Sequence, residues 1–216
     1  MSAAAAGTSL LVGIAGGASA GKTTFARRVA RELGDDQALI LPEESYYYDR
    51  SGLPEEERRA INFDHPDSID FDRMSTHLKA LRAGKSVPHY TYSRDECRRI
   101  EGDDRLEPKR VALVAGILVL AAESVRDLLD VKIYIDADSD LRFLRRMQTK
   151  LAGSPDSFEV ICEDYMTKVK PMHLRYVSAS KKHADVIIPQ GGQNRAAIRM
   201  VKSAILSALQ STEEDD

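Results

Sequence analysis

Two cysteines, Cys97 and Cys162, are too few in 216 residues for a disulfide framework, and a reducing, cytoplasmic compartment is the simplest setting. Five histidines are scattered without the paired spacing of a zinc site, and two distant cysteines cannot complete one, which argues against a structural metal. Apolar runs of membrane-spanning length are missing, and the opening Met1–Gly7 lacks the basic start of a secretory signal. Neither sign of charge dominates: 31 basic against 34 acidic residues leave a formal net charge of −3. That balance suits a soluble protein and gives no positive field or basic-aromatic platform for nucleic acid. Internal repeats and low-complexity segments are absent as well. The acidic end, residues 211–216, is expected to fray into solvent.

Hydrophobic content of 43% is enough for one large core, so residues 1–216 read as a single domain. The most informative segment is Gly16-Gly17-Ala18-Ser19-Ala20-Gly21-Lys22-Thr23, a glycine, four residues, then Gly-Lys-Thr. It follows the apolar run Leu10–Ile14 and opens a helix through Thr24 to Ala30, which is the strand, turn and helix setting of a phosphate cradle. Small residues let backbone N–H groups converge on phosphate oxygens, aided by the unpaired donors of the helix's first turn. Lys22 would reach the β- and γ-phosphates of ATP or GTP, and the Thr23 hydroxyl would take a Mg²⁺ position.

Farther along, 38–41, 111–115, 131–135 and 184–188 read as short buried strands. Helices are expected at 68–81, 119–128, 140–151, 157–170 and 194–209. Residues 50–70 are polar and irregular, and about 85–108 form a hairpin arm. The basic helix with Arg142, Arg145, Arg146 and Lys150, broken near Gly153–Asp156, makes a lid over about 140–160. Strands alternating with helices predict an α/β fold: a P-loop NTPase with a mostly parallel sheet covered on both faces.

Several segments in this order are similar to the uridine–cytidine kinase branch of the uridine kinase and phosphoribulokinase family. Beside the P-loop they are Ser45-Tyr46-Tyr47, Asn62-Phe63-Asp64-His65-Pro66, Tyr90 and Tyr92, Gly116-Ile117-Leu118, Lys170-Pro171-Met172-His173, and Pro189-Gln190-Gly191-Gly192-Gln193-Asn194. The resemblance implies a Mg²⁺- and ATP-dependent enzyme that phosphorylates the 5′-hydroxyl of a pyrimidine nucleoside, as a homodimer or homotetramer. It makes Glu44 the base that activates the hydroxyl, with Glu43 beside it able to point the other way. Asp64 would hold the ribose hydroxyls, and Tyr47 and Tyr90 would line the nucleoside pocket. Pro189, Gly191, Gly192 and Asn194 would hold the adenine, Arg145 and Arg146 would clamp phosphate, and His173 would pack at the base of the lid.

The chain departs from the family pattern on the acceptor and lid sides. Ala115 replaces the acid before Gly116 that helps position Mg²⁺ through water, with Asp49 and Glu43 the nearby acids able to compensate. Asp95 stands where the family reads the base with histidine, Asp164 where it has glutamine, and the lid lacks the later arginines. Three readings follow: a uridine or cytidine kinase, a kinase for another nucleoside-like or polyhydroxyl acceptor, or a weakly catalytic nucleotide-binding protein.

Overall fold

A computed structural model describes residues 7–34, 36–153 and 156–214, with the side chains of 211–214 left aside. Five parallel strands form the central sheet: β1 (Leu10–Gly16), β2 (Ala38–Pro42), β5 (Val111–Ala115), β6 (Val131–Ile135) and β7 (Val186–Ile188), in the order β2-β5-β1-β6-β7. β1 lies at the centre and all seven of its residues are buried, because a parallel sheet covered on both faces needs apolar side chains on both. Its alternation sorts those residues: Leu11 and Ala15 face one core, and Leu10, Val12 and Ile14 the other.

On the first face, α3 (Phe71–Arg82) packs Met74, Leu78 and Leu81 against β1, β2 and β5, joined by Leu118–Leu120. Gly13 faces this layer, where Leu129 leaves no space for a Cβ. The second face is covered by Phe25, Ala26 and Val29 of α1 (Lys22–Leu33) and by Ile198, Val201 and Ile205 of the C-terminal helix (Arg195–Glu214).

The predicted hairpin arm is present as β3 (Val87–Ser93) and β4 (Arg98–Leu106), antiparallel, with a register shift between Pro88 and Tyr90. A turn over 94–97 joins them, with Cys97 at φ 50°. The segment expected to form a lid contains α5 (Ser139–Gly153) and α6 (Phe158–Asp164), which runs on into π turns at Tyr165–Val169 and His173–Val177. Pro171 sits between those turns, where its missing N–H cannot complete a regular α-helical ladder. Residues 154 and 155 of the expected lid break lie outside the described residues.

Three elements differ from expectation. The helix expected at 119–128 is reduced to α4 (Glu123–Arg126), because Leu118–Leu120 turn inward to fill the core. The irregular stretch 50–70 contains a short helix, α2 (Glu55–Ala60), with three acids in its first turn and Arg58 and Arg59 in its last. The C-terminal helix continues to Glu214, past residue 211 where the chain was expected to fray.

Candidate active site

The carboxyl edge of the sheet carries the site, as expected where an open α/β sheet reverses its strand order on either side of β1. The P-loop leaves β1 through three left-handed residues, Gly16 (φ 143°), Ser19 (φ 61°) and Gly21 (φ 98°). Gly21 caps α1 with no side-chain hydrogen bond, so the first-turn donors of that helix keep their capacity for an anion. Ala20 N–H closes the turn onto Gly17 O (3.1 Å), and the Lys22 ammonium folds back onto the same carbonyl (2.9 Å). Desolvation lowers the Lys22 pKa to about 8, opposed first by the neighbouring Glu43 carboxylate. Thr23 and Thr24 are exposed at the mouth, and Ala18 is half-buried on its rim.

A second loop, Pro189–Asn194, lies directly against the cradle. Gly192 N–H donates to Ala20 O (3.2 Å) and Gly191 N–H to Asp136 O (3.2 Å). Asn194 accepts from Ala197 N–H and so caps the C-terminal helix. A Cβ on Gly192 would stand 2.7 Å from the Gly21 carbonyl carbon, so only glycine allows this approach. The resemblance gave these residues to adenine; their visible work is to brace the P-loop.

From the lid side, Arg145 reaches the cradle, with Nη1 3.5 Å from Ser19 O. Arg146 pairs with Asp164 (2.8 Å), which also faces Lys168 (3.5 Å). Arg142 is named on the basic helix from sequence but given no role in the site there. It is buried against Gly17, donating to Ala137 O (3.1 Å) and facing His173 Nε2 (3.2 Å). Burial and the Arg142 charge lower the His173 pKa to about 4, so the neutral ring accepts from Arg142 near pH 7 and anchors the lid base. Helical spacing alone could not tell Arg142 from its solvated neighbours.

Across from Lys22, burial raises the pKa of the Asp64 carboxylate against the opposing charges of Arg146, Arg94 and Lys22. Asp64 N–H bonds the Asn62 side chain (3.1 Å), a local turn that aims the next side chain inward. Tyr47 is buried beside it, edge-on to Phe63 (5.1 Å between centroids) and tilted against Tyr92 (5.1 Å). Over this aromatic group lies the Arg94 guanidinium, 4.8 Å from the Phe63 centroid and 5.2 Å from that of Tyr47, donating to the Tyr47 hydroxyl (3.1 Å).

The hairpin therefore sets Arg94 over Tyr47 and Phe63, while Asp95 is exposed in the turn. Tyr90 sits one layer deeper, stacked on His77 (13° between planes) with its hydroxyl accepting from Arg73 (3.1 Å). Tyr92 takes the place over Tyr47 and Phe63. Alternation along β3 puts Tyr90 and Tyr92 on one face, but the sequence cannot say which of them reaches the pocket.

The adjacent acids diverge within the 3₁₀ turn that ends β2. Glu44 is exposed on the side of Lys22, Arg94 and Tyr47, and Glu43 is buried beneath. Each Glu43 oxygen accepts one backbone N–H, from Ile117 (3.0 Å) and Leu118 (2.8 Å).

A parallel sheet, a P-loop leading into a helix with no side-chain cap, arginines beside the cradle and acids on the side of the lysine define a P-loop phosphotransferase. The sequence model of the phosphoribulokinase/uridine kinase family matches residues 11–197. The chain is 42% identical over 203 residues to the uridine kinase of Chloroflexus aurantiacus, covering 94% of this chain and 97% of that one. It is 38% identical over 200 residues to the uridine kinase of Clostridium perfringens, covering 93% and 96%. Among solved structures it resembles phosphoribulokinase from Rhodobacter spheroides in fold, with a TM-score of 0.64, 14% identity, and 83% and 69% of the two chains covered. The protein belongs to the phosphoribulokinase/uridine kinase family. Among its described residues, no helix is long and apolar enough to cross a membrane.

Proposed function

We propose that this protein is a uridine kinase, transferring the γ-phosphoryl group of ATP to the 5′-hydroxyl of uridine or cytidine. The observation that carries the reading is a juxtaposition of side chains: Glu44 and Asp64 are charged neighbours of the P-loop Lys22 and of Tyr47, and Tyr47 packs with Phe63 and Tyr92 as one aromatic group. Full-length similarity to uridine kinases supports the same acceptor class.

The residues present fit nucleotide and cation. Glycines at 17, 21 and 192 let Arg142 and the Pro189–Asn194 loop pack directly against the cradle, and Thr23 is exposed at its mouth. Among the described residues no group of three or more His, Cys, Asp or Glu side chains could hold a metal by itself. That suits Mg²⁺, which is commonly held by one or two protein groups with phosphates and waters. Bound MgATP supplies the phosphoryl group that passes to the acceptor oxygen, with ADP as the leaving group.

The chain's own residues do the rest. Lys22 and Arg145 place positive charge along the phosphates, and Arg146 extends that charge toward the acceptor side. Asp64 accepts hydrogen bonds from vicinal ribose hydroxyls, and the Tyr47, Phe63 and Tyr92 group lies on the side of the base. Glu44 takes the proton of the 5′-hydroxyl as its oxygen attacks, which the open position of that carboxylate permits. Glu44→Gln tests the assignment: kcat should fall by about 10²–10⁴-fold with ATP affinity near normal. A variant with full turnover would remove Glu44 from the base role. Self-association would cover apolar side chains such as Leu174 and Met200, 63% and 72% exposed in the single chain.

A further inference from the structure

The buried carboxylate of Glu43 is not used by the mechanism above, and its position is unusual. It is 3% exposed, lies directly over Gly116 where no Cβ would fit, and accepts from two consecutive backbone N–H groups of the loop after β5. Glu43 and Lys22 are each other's strongest charged neighbours, so the acid stands at the floor of the phosphate cradle. P-loop enzymes hold a nucleotide-bound Mg²⁺ between the hydroxyl after the P-loop lysine and an acid from a neighbouring strand. The strand hydrogen-bonded to β1 on that side is β5, and it ends in Ala115, which has no acid to give. β2 is the next strand over; its Pro42 is in register with Ala115, and Glu43 follows immediately. A side chain from the next strand thus reaches the end of β5, and Gly116 leaves the opening for it.

We propose that Glu43 is the acidic positioning residue of the phosphate site, orienting the hydrated divalent cation that accompanies the nucleotide, while its two backbone bonds fix the carboxylate. The two N–H bonds satisfy one lone pair on each oxygen and leave others available to water on the cradle side. The inference rests on nucleotide binding at the P-loop.

The test compares ADP affinity by calorimetry in Mg²⁺ and in EDTA for the full chain, Glu43→Ala, Glu43→Gln and Glu43→Ala/Ala115→Glu, each checked by circular dichroism for folding. In wild type, Mg²⁺ should tighten ADP binding. Both single variants should lose about 10–100-fold of that enhancement, the usual effect of removing an outer-shell partner, with affinity in EDTA little changed. The double variant, delivering a carboxylate from the end of β5 instead, should recover part of it. A purely structural clamp would weaken ADP equally with and without Mg²⁺, or leave the enhancement intact in the folded Gln variant; either result overturns the proposal. Failure of the wild type to bind ADP in both conditions would instead remove the nucleotide reading itself.

Discussion

Gly192→Ala probes how closely the two loops of the nucleotide site depend on each other. The added Cβ would stand 2.7 Å from the Gly21 carbonyl carbon and 3.2 Å from its Cα, with the carbonyl oxygen nearer still. All three atoms are backbone, and Gly21 is itself held at φ 98° as the cap of α1, so no side chain can rotate out of the way. The loops must part. Parting breaks the Gly192 N–H bond to Ala20 O, about 1 kcal/mol, and residual overpacking costs about 1–3 kcal/mol more. At roughly 2–4 °C per kcal/mol for a domain of this size, the melting temperature should fall by roughly 4–16 °C. ADP affinity should fall at least about tenfold, because Gly21 caps the helix whose first-turn N–H groups are proposed to hold the phosphates. Gly52→Ala is the control: its Cβ meets nothing within 4 Å, and the variant should stay within about 0.5 kcal/mol of wild type. Thermal melts with and without ADP, together with calorimetry, read both effects. A Gly192→Ala protein that melts and binds ADP like wild type would refute the contact between the loops.

Two further outcomes follow from the same geometry. Burial, opposed by the backbone bonds and Lys22, raises the Glu43 pKa to about 7, so between the ordinary carboxylate range and about pH 7 the folded chain holds a proton that the unfolded chain has released. This group's contribution to stability therefore falls as pH rises through that window, and the ligand-free melting temperature of wild type relative to Glu43→Gln should decline from pH 4.5 to pH 7; a flat difference would contradict the burial. Arg94→Ala removes the guanidinium over Tyr47 and Phe63 and should raise the acceptor KM about tenfold while leaving the ATP KM within about twofold. An unmoved acceptor KM would take Arg94 out of the pocket.

The sheet and P-loop were legible because their signals are local and periodic: apolar runs at 10–14 and 111–115, and glycines at the positions that adopt positive φ. Direction of side chains was the harder matter. Glu43 and Glu44 are chemically alike neighbours, and only the close approach of Gly116 to the end of β2 decides which is buried. Arg94 and Asp95 likewise share a turn, and the tilt of the hairpin against Phe63 selects the cation for the pocket. Tyr90 and Tyr92 lie on the same face of β3, so which of them packs beside Tyr47 and Phe63 depends on where His77 stacks on the other. Arg142 was hidden because a buried arginine on a basic helix looks, in sequence, like a solvated one; its partners Ala137 and His173 come from separate turns. The short helix α2 did carry a readable signal, Pro54 before three acids and two arginines, that the surrounding prolines and glycine masked.

The most direct measurement is ADP release from MgATP in the presence of uridine, cytidine, purine nucleosides, free sugars or polyols, against a control without acceptor, with the phosphorylated product identified by mass. Uridine or cytidine should drive turnover well above the control and yield the 5′-monophosphate. Tight ATP binding with no acceptor raising turnover, or turnover driven by a sugar or polyol and not by either pyrimidine nucleoside, would contradict the account.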